Sequence, residues 1–176
     1  MRLSIIIPTK DRPYKIKRLL DQLYDNKFFF NEIILIDSSN INNKKKLTII
    51  IKKIDLNIKL INSRPSISLQ RNKGLKNMKK NNSFFMFVDD DIIFKKNSFI
   101  EMEKFIKKNE QIYTGYGFNL ISKANCGFLE KIKRNKLIEK IGIYNTKIGK
   151  IVPSGWQTKI NNVKKNQEVE WLSTQA

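Results

Sequence analysis

The segment at residues 4–24 reads SIIIPTKDRPYKIKRLLDQLY and predicts a strand, a turn and a helix, in that order. Three consecutive isoleucines predict a buried strand at residues 4–8, which the proline ends. Asp11 is suited to cap a helix that carries Pro13 in its first turn. The apolar residues of this helix recur at a spacing that places them on one face, and they are Ile16, Leu19, Leu20 and Leu23.

The same alternation of short apolar runs and longer amphipathic runs continues along the chain. Predicted strands occupy residues 32–37, 57–61, 84–88 and 112–120, and predicted helices occupy residues 47–54, 67–78 and 99–106. The isoleucine run in the helix at 47–54 would also suit a strand. The run FFMFV at 84–88 has no polar alternation, which predicts a strand buried on both faces.

Strands that alternate with helices predict an α/β fold with a mostly parallel sheet and right-handed crossovers. This pattern covers residues 1–125 and defines the predicted core. In residues 126–176 the pattern weakens, with a basic amphipathic helix expected at 128–141 and a loop at 145–169. No internal repeat or low-complexity linker separates the two regions.

Composition excludes several kinds of chemistry. The 176-residue chain has no histidine, so Ser-His-Asp catalysis, Cys-His catalysis and histidine-ligated zinc are all ruled out. Its single cysteine, Cys126, allows neither an intrachain disulfide nor a cysteine-based metal cluster. A metal in this chain would need oxygen ligands, which favours magnesium, manganese or calcium.

The chain carries 35 Lys and Arg against 16 Asp and Glu, a formal net charge of +19. Only 6 of these basic residues are arginine, the residue best suited to bidentate phosphate and base contacts, so a nucleic-acid partner is not expected. Lysine, isoleucine and asparagine supply 77 residues, a trio typical of AT-rich coding sequence. The lone thiol suggests a cytoplasmic location, and the charge leaves open peripheral binding to the inner face of a membrane.

Polar residues follow three of the predicted strands, at the end of the sheet where open α/β folds bind their ligands. The first strand ends in Pro8-Thr9-Lys10-Asp11-Arg12, and the second ends in Asp37-Ser38-Ser39. Asp, Ser and Thr at such positions also cap helices, and a cap is the plainer interpretation of Asp37 alone.

The third strand ends in Asp89-Asp90-Asp91, which a cap does not explain. Three adjacent carboxylates repel one another, and they are costly next to an apolar strand unless a cation or strong donors neutralise them. A divalent metal shared with a phosphate-bearing substrate meets this need, because magnesium typically binds one or two carboxylates together with phosphates and water. A surface acidic cluster without a ligand is the alternative.

The stretch SISLQRNKGL at residues 66–75 combines a helical pattern with residues that weaken a helix. Gly74 costs a helix about 1 kcal/mol relative to alanine. Arg71 is suited to face phosphates, and Gly74 would let the backbone pack closely. A solvated helix face with a loose turn is the alternative.

Four motifs together resemble the signature set of the family 2 glycosyltransferases, which are nucleotide-sugar-dependent enzymes of the GT-A fold. They are SIIIPTKDRP at 4–13, IDSS at 36–39, SLQRNKGL at 68–75 and FVDDD at 87–91, in the order found in that family. The resemblance implies transfer of a sugar from a nucleoside-diphosphate sugar, most often a UDP-sugar, to a hydroxyl of a saccharide or lipid-linked acceptor. It also implies a Mn²⁺ or Mg²⁺ cofactor and inversion at the anomeric carbon.

The resemblance assigns roles to individual positions of this chain. Pro8, Thr9, Asp11 and Arg12 would line the nucleotide pocket, and Asp37 would accept a hydrogen bond from the base. Arg71 would face the diphosphate or order the acidic motif. Asp89 and Asp91 correspond to the DxD motif of the family, with Asp89 toward the ribose, Asp91 on the metal and Asp90 at the variable middle position.

The general base of an inverting enzyme of this family follows a Trp-Leu-Ser-Gly-like segment. VEWLS at residues 169–173 resembles the start of that segment, so the base is expected beyond Ala176 and the chain is expected to be a fragment. Glu168 and Glu170 are the alternative bases within the chain.

Two other functions remain open on the sequence. A sugar nucleotidyltransferase also combines an α/β sheet with acidic metal ligands, but it normally has a glycine-rich loop after its first strand, where this chain has PTKDRP. A non-catalytic module for polyanions would use the net charge, although the basic residues are spread along the chain and are not interleaved with aromatics at one site.

Overall fold

A computed structural model describes residues 2–82 and 84–109 of the chain. Within them, strands and helices alternate as expected. The strands are β1 (Leu3–Thr9), β2 (Glu32–Asp37), β3 (Ile58–Asn62) and β4 (Phe84–Phe87). The helices are α1 (Pro13–Tyr24), α2 (Ile41–Lys52), α3 (Ile67–Asn77) and α4 (Ser98–Asn109), with a short 3-10 turn at Lys27–Phe29.

The described strands form one parallel sheet in the order β3-β2-β1-β4. Parallel strands need crossover connections, and here helices supply them, so the predicted α/β class is confirmed. β1 lies between β2 and β4, which brings residue 4 opposite both Glu32 and Phe85. The carboxyl ends of β1, β2 and β4 therefore meet at one edge of the sheet.

The two faces of the sheet are covered by different helices because successive strand residues point to opposite sides. Ile5 and Ile7 pack into the larger core cluster with the apolar face of α1 and with Leu47 of α2. Ile6 points to the other face, where Leu75 of α3 contacts it. All residues of β1 and β2 are buried, as their apolar runs predict.

Pro8 does not end the first strand, which continues to Thr9. The Ile6 carbonyl accepts from the Val88 N–H, so the backbone polar groups of Ile6 face β4. Every second residue of a strand directs these groups to the same neighbour, so those of Pro8 also face the β4 side. β4 stops pairing opposite Ile6, so the N–H that proline lacks would face no strand partner there.

Three further details differ from the sequence-based expectation. α2 begins at Ile41, not Leu47, because the Asn40 side chain caps it by accepting from the Asn43 N–H at 3.0 Å, and its first turn is polar and escapes an apolar pattern. The prediction that FFMFV is buried on both faces is wrong, since Phe85 is 49% exposed. β4 lies at one end of the sheet among the described strands, and α3 packs mainly on β1 and β2, so Phe85 is left partly uncovered.

The third difference concerns Asp11, which does not cap α1. Arg12 occupies that cap position and makes no side-chain cap bond. Asp11 has a φ of 56°, in the left-handed region that aspartate tolerates better than most residues. Its carboxylate accepts instead from the Asn40 N–H at 2.9 Å and from Asn43 Nδ2 at 3.0 Å, so it supports the start of α2.

The predicted strand at 112–120, the helix at 128–141, the loop at 145–169 and the boundary at 125/126 lie outside the described residues. None of the helices between residues 2 and 109 is long and apolar enough to cross a membrane.

Candidate functional site

The edge formed by the carboxyl ends of β1, β2 and β4 gathers the polar motifs that the sequence places after each strand. The β1 loop joins the β2 loop through the Asp11 N–H, which donates to Ser39 Oγ at 2.7 Å. The end of β1 joins the acidic run through Thr9 Oγ1, which donates to Asp90 Oδ2 at 2.8 Å. Residues 81 positions apart thus meet at one edge of the sheet.

Each carboxylate of the acidic run has a basic partner from a different part of the chain. Asp89 Oδ1 accepts from Arg71 Nη2 of α3 at 3.0 Å. Asp90 Oδ1 accepts from Arg12 Nη1 at 2.9 Å. Asp91 Oδ2 lies 3.2 Å from Lys15 Nζ of α1. The repulsion expected among three carboxylates is offset by these cations, so charge balance alone does not require a metal.

Burial separates the three carboxylates. Asp90 is only 6% exposed and accepts from both Thr9 and Arg12, which fixes its position. Asp89 is half-buried, and this burial raises the pKa of its carboxyl, with the Arg71 guanidinium opposing the shift. The Asp91 side chain is largely open to solvent, so its ion pairs contribute little to stability.

Hydrogen bonds shift the pKa values of Arg12 and Asp11. The Asp90 carboxylate raises the pKa of the Arg12 guanidinium, first through their hydrogen bond and then through their charges. The pKa of Asp11 is lowered by its hydrogen bonds from the Asn43 side chain and the Asn40 backbone. Both groups are therefore held in their charged forms at the open edge of the site.

Asp37 ends β2 and is 2% exposed. Its Oδ1 accepts from the Ser39 N–H at 2.9 Å, in the manner of an Asx turn. Its Oδ2 is buried and has no hydrogen-bond partner among the described residues. A buried carboxylate oxygen left without a donor is costly, and a ligand with an N–H or O–H would remove that cost.

Gln70 is a site residue that the sequence interpretation missed. It is buried on α3, and its Nε2 donates to the Thr9 carbonyl at 3.0 Å and to the Ile36 carbonyl at 2.8 Å. These bonds connect the ends of β1 and β2 directly beneath the candidate site. A glutamine one position before Arg71, inside a helix whose apolar pattern is weak, is the signal that could have revealed it.

Gly74 makes the close packing that the sequence suggests. A Cβ at this position would overlap Ile6 Cγ2 and would lie 3.5 Å from the Ile6 Cβ and Cδ1 atoms. α3 therefore approaches β1 more closely than any larger residue at 74 would allow, and this brings Arg71 to Asp89. The Arg71 guanidinium also lies 5.4 Å from the centre of the Phe87 ring, a cation–π distance.

The remaining predicted site residues are placed as follows. Pro8 is buried inside β1, and Thr9 is buried at its end. Within residues 2–82 and 84–109, no three acidic, cysteine or histidine side chains converge to form a metal site by themselves. Glu168 and Glu170 lie outside the described residues.

Comparison with known proteins gives one family match and several similar folds. The family model for glycosyl transferase family 2 matches residues 4–159, and no curated protein matches the chain. The solved structure of S. aureus TarS 1-349 matches at 22% identity with a TM-score of 0.53, covering 71% of this chain and 39% of that one. A structure of S. aureus TarS matches at 24% identity and a TM-score of 0.51, with coverages of 70% and 23%.

A third structure, S. aureus TarS 1-349 in complex with UDP, matches at 24% identity and a TM-score of 0.51, with coverages of 71% and 38%. This chain thus spans less than two fifths of each of these structures. At such identity the likeness concerns the fold, and it confirms the predicted GT-A architecture. Since the family model covers most of the chain, including every motif that meets at this edge of the sheet, the chain belongs to glycosyl transferase family 2.

Proposed function

We propose that this chain binds a nucleoside-diphosphate sugar, with uridine as the preferred nucleoside, and transfers the sugar to an acceptor hydroxyl with inversion. The observation that carries the proposal is the buried Asp37 Oδ2, which has no donor, at the sheet edge of a family 2 glycosyltransferase chain. The crystal structure of TarS with UDP, a protein of similar fold, supports the choice of nucleotide.

Asp37 is suited to recognise a base that presents an N–H. The Ser39 N–H donates to Oδ1, which leaves Oδ2 as the oxygen of this carboxylate whose hydrogen-bonding capacity a ligand could satisfy. Uracil presents its N3–H as such a donor. A hydrogen bond to a charged, buried acceptor is worth about 1.5–3 kcal/mol, enough to select among bases.

The diphosphate would lie beside the acidic run, where positive and negative groups alternate. Arg12, Lys15 and Arg71 supply cationic donors for phosphate oxygens, and each now holds a carboxylate. Such pairs can exchange partners, because an arginine that leaves a carboxylate for a phosphate keeps a charged hydrogen bond.

A divalent cation fits the donor set. Asp89 and Asp91 provide two carboxylates, the number that magnesium typically takes from a protein, while phosphates and water complete its shell. The burial that raises the pKa of Asp89 would be relieved by a cation nearby. When bound, the cation would supply Lewis-acid stabilisation of the leaving diphosphate. We propose that Asp89 and Asp91 hold Mn²⁺ or Mg²⁺. The buried Asp90 would hold the acidic run in position through its bonds with Thr9 and Arg12.

Transfer also requires a base that accepts the proton of the attacking hydroxyl. The described residues leave Asp89, Asp90 and Asp91 engaged with cations, so they are suited to binding and not to this role. We propose a saccharide or a lipid-linked sugar as the acceptor. The choice of these two acceptor classes rests on family membership.

The test compares Asp37→Asn with Asp55→Asn by titration calorimetry of UDP in the presence of Mn²⁺. The asparagine introduced by Asp37→Asn would keep its oxygen on the Ser39 N–H and would place its NH₂ group where Oδ2 now lies. A donor would then face a donor, and UDP binding should weaken about tenfold to a hundredfold. Asp55 is 92% exposed and lies between α2 and β3, away from the site edge, so its variant should bind like the parent.

Two results would contradict the proposal. Unchanged UDP affinity in Asp37→Asn would remove Asp37 from the base contact. Equal binding of inorganic phosphate and UDP by the parent would show a phosphate site without nucleoside recognition.

A further inference from the structure

The outward face of α2 carries an unusual combination of side chains. Leu47 is buried against the core, and the residues on the opposite side of the helix are open to solvent. Two of them are isoleucines, with Ile41 73% exposed and Ile49 54% exposed. The others are mostly lysines, and the exposed lysines of this face are Lys45, Lys46, Lys52 and the adjoining Lys53.

Among the residues that the structure describes, the lysines of this face have no acidic partner. No acidic residue occurs between Asp37 and Asp55, and no ion pair within the described residues involves a lysine of α2. By contrast, Lys17 on α1 and Lys104 and Lys107 on α4 pair with acids on their own helices, as in Lys17–Asp21 at 2.7 Å. The α2 face therefore presents a positive potential beside exposed apolar side chains.

The corresponding face of α3 does not share this pattern. α3 also lacks acidic residues, but its exposed apolar residues, Ile67 and Leu69, are confined to its first turn, and its exposed lysine, Lys76, lies near the other end. α2 and α3 pack on opposite faces of the sheet, with Leu47 in one core cluster and Leu75 in contact with the other. The sheet and both helix layers thus separate the two surfaces, a distance greater than the Debye length of about 10 Å at 0.1 M salt.

We propose that the outward face of α2, defined by Ile41, Lys45, Lys46, Ile49 and Lys52, docks onto an anionic phospholipid surface. In such docking, isoleucines enter the boundary between headgroups and acyl chains, while lysine stems lie along it and their ammonium groups reach the phosphates. An open depression beside Ile41 and Lys46 offers room for a headgroup. The charge of the face is complementary to an anionic leaflet.

A nucleic acid fits this face less well. α2 has no arginine, the residue preferred for phosphate and base contacts. The Tyr14 ring centre lies 6.0 Å from Lys46 Nζ, and no other cation–π contact of an α2 lysine occurs within the described residues. Base stacking on single strands typically uses several rings.

Docking through α2 would place the candidate site next to the lipid. The start of α2 is held to the site edge by the Asp11 carboxylate, which accepts from Asn40 and Asn43. A helix that lies in the plane of the membrane would keep this edge beside the headgroups. An acceptor displayed by a lipid would then be within reach.

The test is sedimentation of the full 176-residue chain with vesicles of phosphatidylcholine, pure or mixed three to one with phosphatidylglycerol. A triple variant, Lys45, Lys46 and Lys52→Gln, is compared with a charge-matched triple on the α3 side of the sheet, Lys76, Lys79 and Lys80→Gln. A double variant, Ile41 and Ile49→Ser, probes the apolar contribution without a change in charge. Circular dichroism checks that each variant is folded.

We expect binding to the mixed vesicles only, with release at high salt. Each lysine near an anionic surface contributes about 1 kcal/mol, so the α2 triple should lose about a hundredfold in partitioning, while the α3 triple changes little. The isoleucine double should lose about tenfold. Three outcomes would each overturn the proposal. The first is equal binding to both vesicle types, and the second is an equal loss of binding in the two lysine triples. The third is unchanged vesicle binding by the isoleucine double variant together with tight binding of single-stranded RNA.

Discussion

Replacement of Gly74 by alanine tests whether the close approach of α3 to β1 is a packing requirement. By helix propensity alone, alanine should stabilise the helix by about 1 kcal/mol. The structure predicts the opposite sign, because the added Cβ would overlap Ile6 Cγ2.

The overlap is hard to relieve. Ile6 is fully buried and β-branched, so its χ1 angle has few alternatives, and β1 is hydrogen-bonded to a strand on each side. Overpacking of this kind costs about 1–3 kcal/mol. After the propensity gain of about 1 kcal/mol is subtracted, Gly74→Ala should destabilise the fold by up to about 2 kcal/mol.

The identity of the clashing atom makes the prediction specific. Ile6→Ala removes Cγ2, and in that background Gly74→Ala should become neutral or stabilising, a coupling of about 1–3 kcal/mol between the two positions. Ile6→Val keeps both branches at Cβ, so it should leave the penalty in place. Lys76→Ala, on the exposed side of the same helix, should change stability by less than about 0.5 kcal/mol.

Urea unfolding followed by far-ultraviolet circular dichroism measures each difference. If Gly74→Ala stabilises the parent, or costs as much with alanine at position 6 as with isoleucine, steric contact with Ile6 is not the reason for the glycine.

Three more outcomes follow from the acidic run. Asp90→Ala should destabilise the fold by about 2–4 kcal/mol, because it leaves Thr9 Oγ1 and Arg12 without their buried acceptor. Urea unfolding measures this difference, and a loss below about 0.5 kcal/mol would contradict the positioning role of Asp90. Asp91→Asn should remove most of the Mn²⁺-dependent part of UDP binding. Its stability should stay near that of the parent, since the Asp91 carboxylate is exposed. UDP titrations with and without Mn²⁺ measure the metal effect, and an unchanged effect would exclude Asp91 as a metal ligand. Burial raises the pKa of Asp89, so its protonated form favours folding and this contribution is lost as pH rises from the ordinary value of 3.8 through the raised one. The stability of the parent relative to Asp89→Asn should therefore increase as pH falls through that interval, and a difference independent of pH would contradict the shift.

The sequence predicted the strands and the parallel sheet because the apolar runs of β1 and β2 are long and uninterrupted. It also placed Asp37 and the acidic run at strand ends, since each follows its strand directly. It missed the start of α2, where capping by Asn40 and not apolar spacing determines the boundary.

The arrangement within the site depends on contacts that a linear pattern does not contain. The bond between Thr9 and Asp90 exists because β4 pairs with β1, and the sequence did not specify that order of strands. In this arrangement Asp90 is buried and Asp91 is exposed, a difference that a run of three identical aspartates does not reveal. Gln70 was missed for a similar reason, since its two acceptors belong to different strands.

The pairing of β4 with β1 also sets an order of events during synthesis on a ribosome. β1, β2 and β3 follow one another closely, so these three strands can pair and bury Asp37 while later residues are still being added. β4 joins β1 only after about eighty residues have emerged, and contacts of such separation form slowly. A nascent chain therefore forms the strand end that carries Asp37 before the acidic run is in place. Until β4 arrives, one edge of β1 is an unpaired strand that a ribosome-associated chaperone could cover.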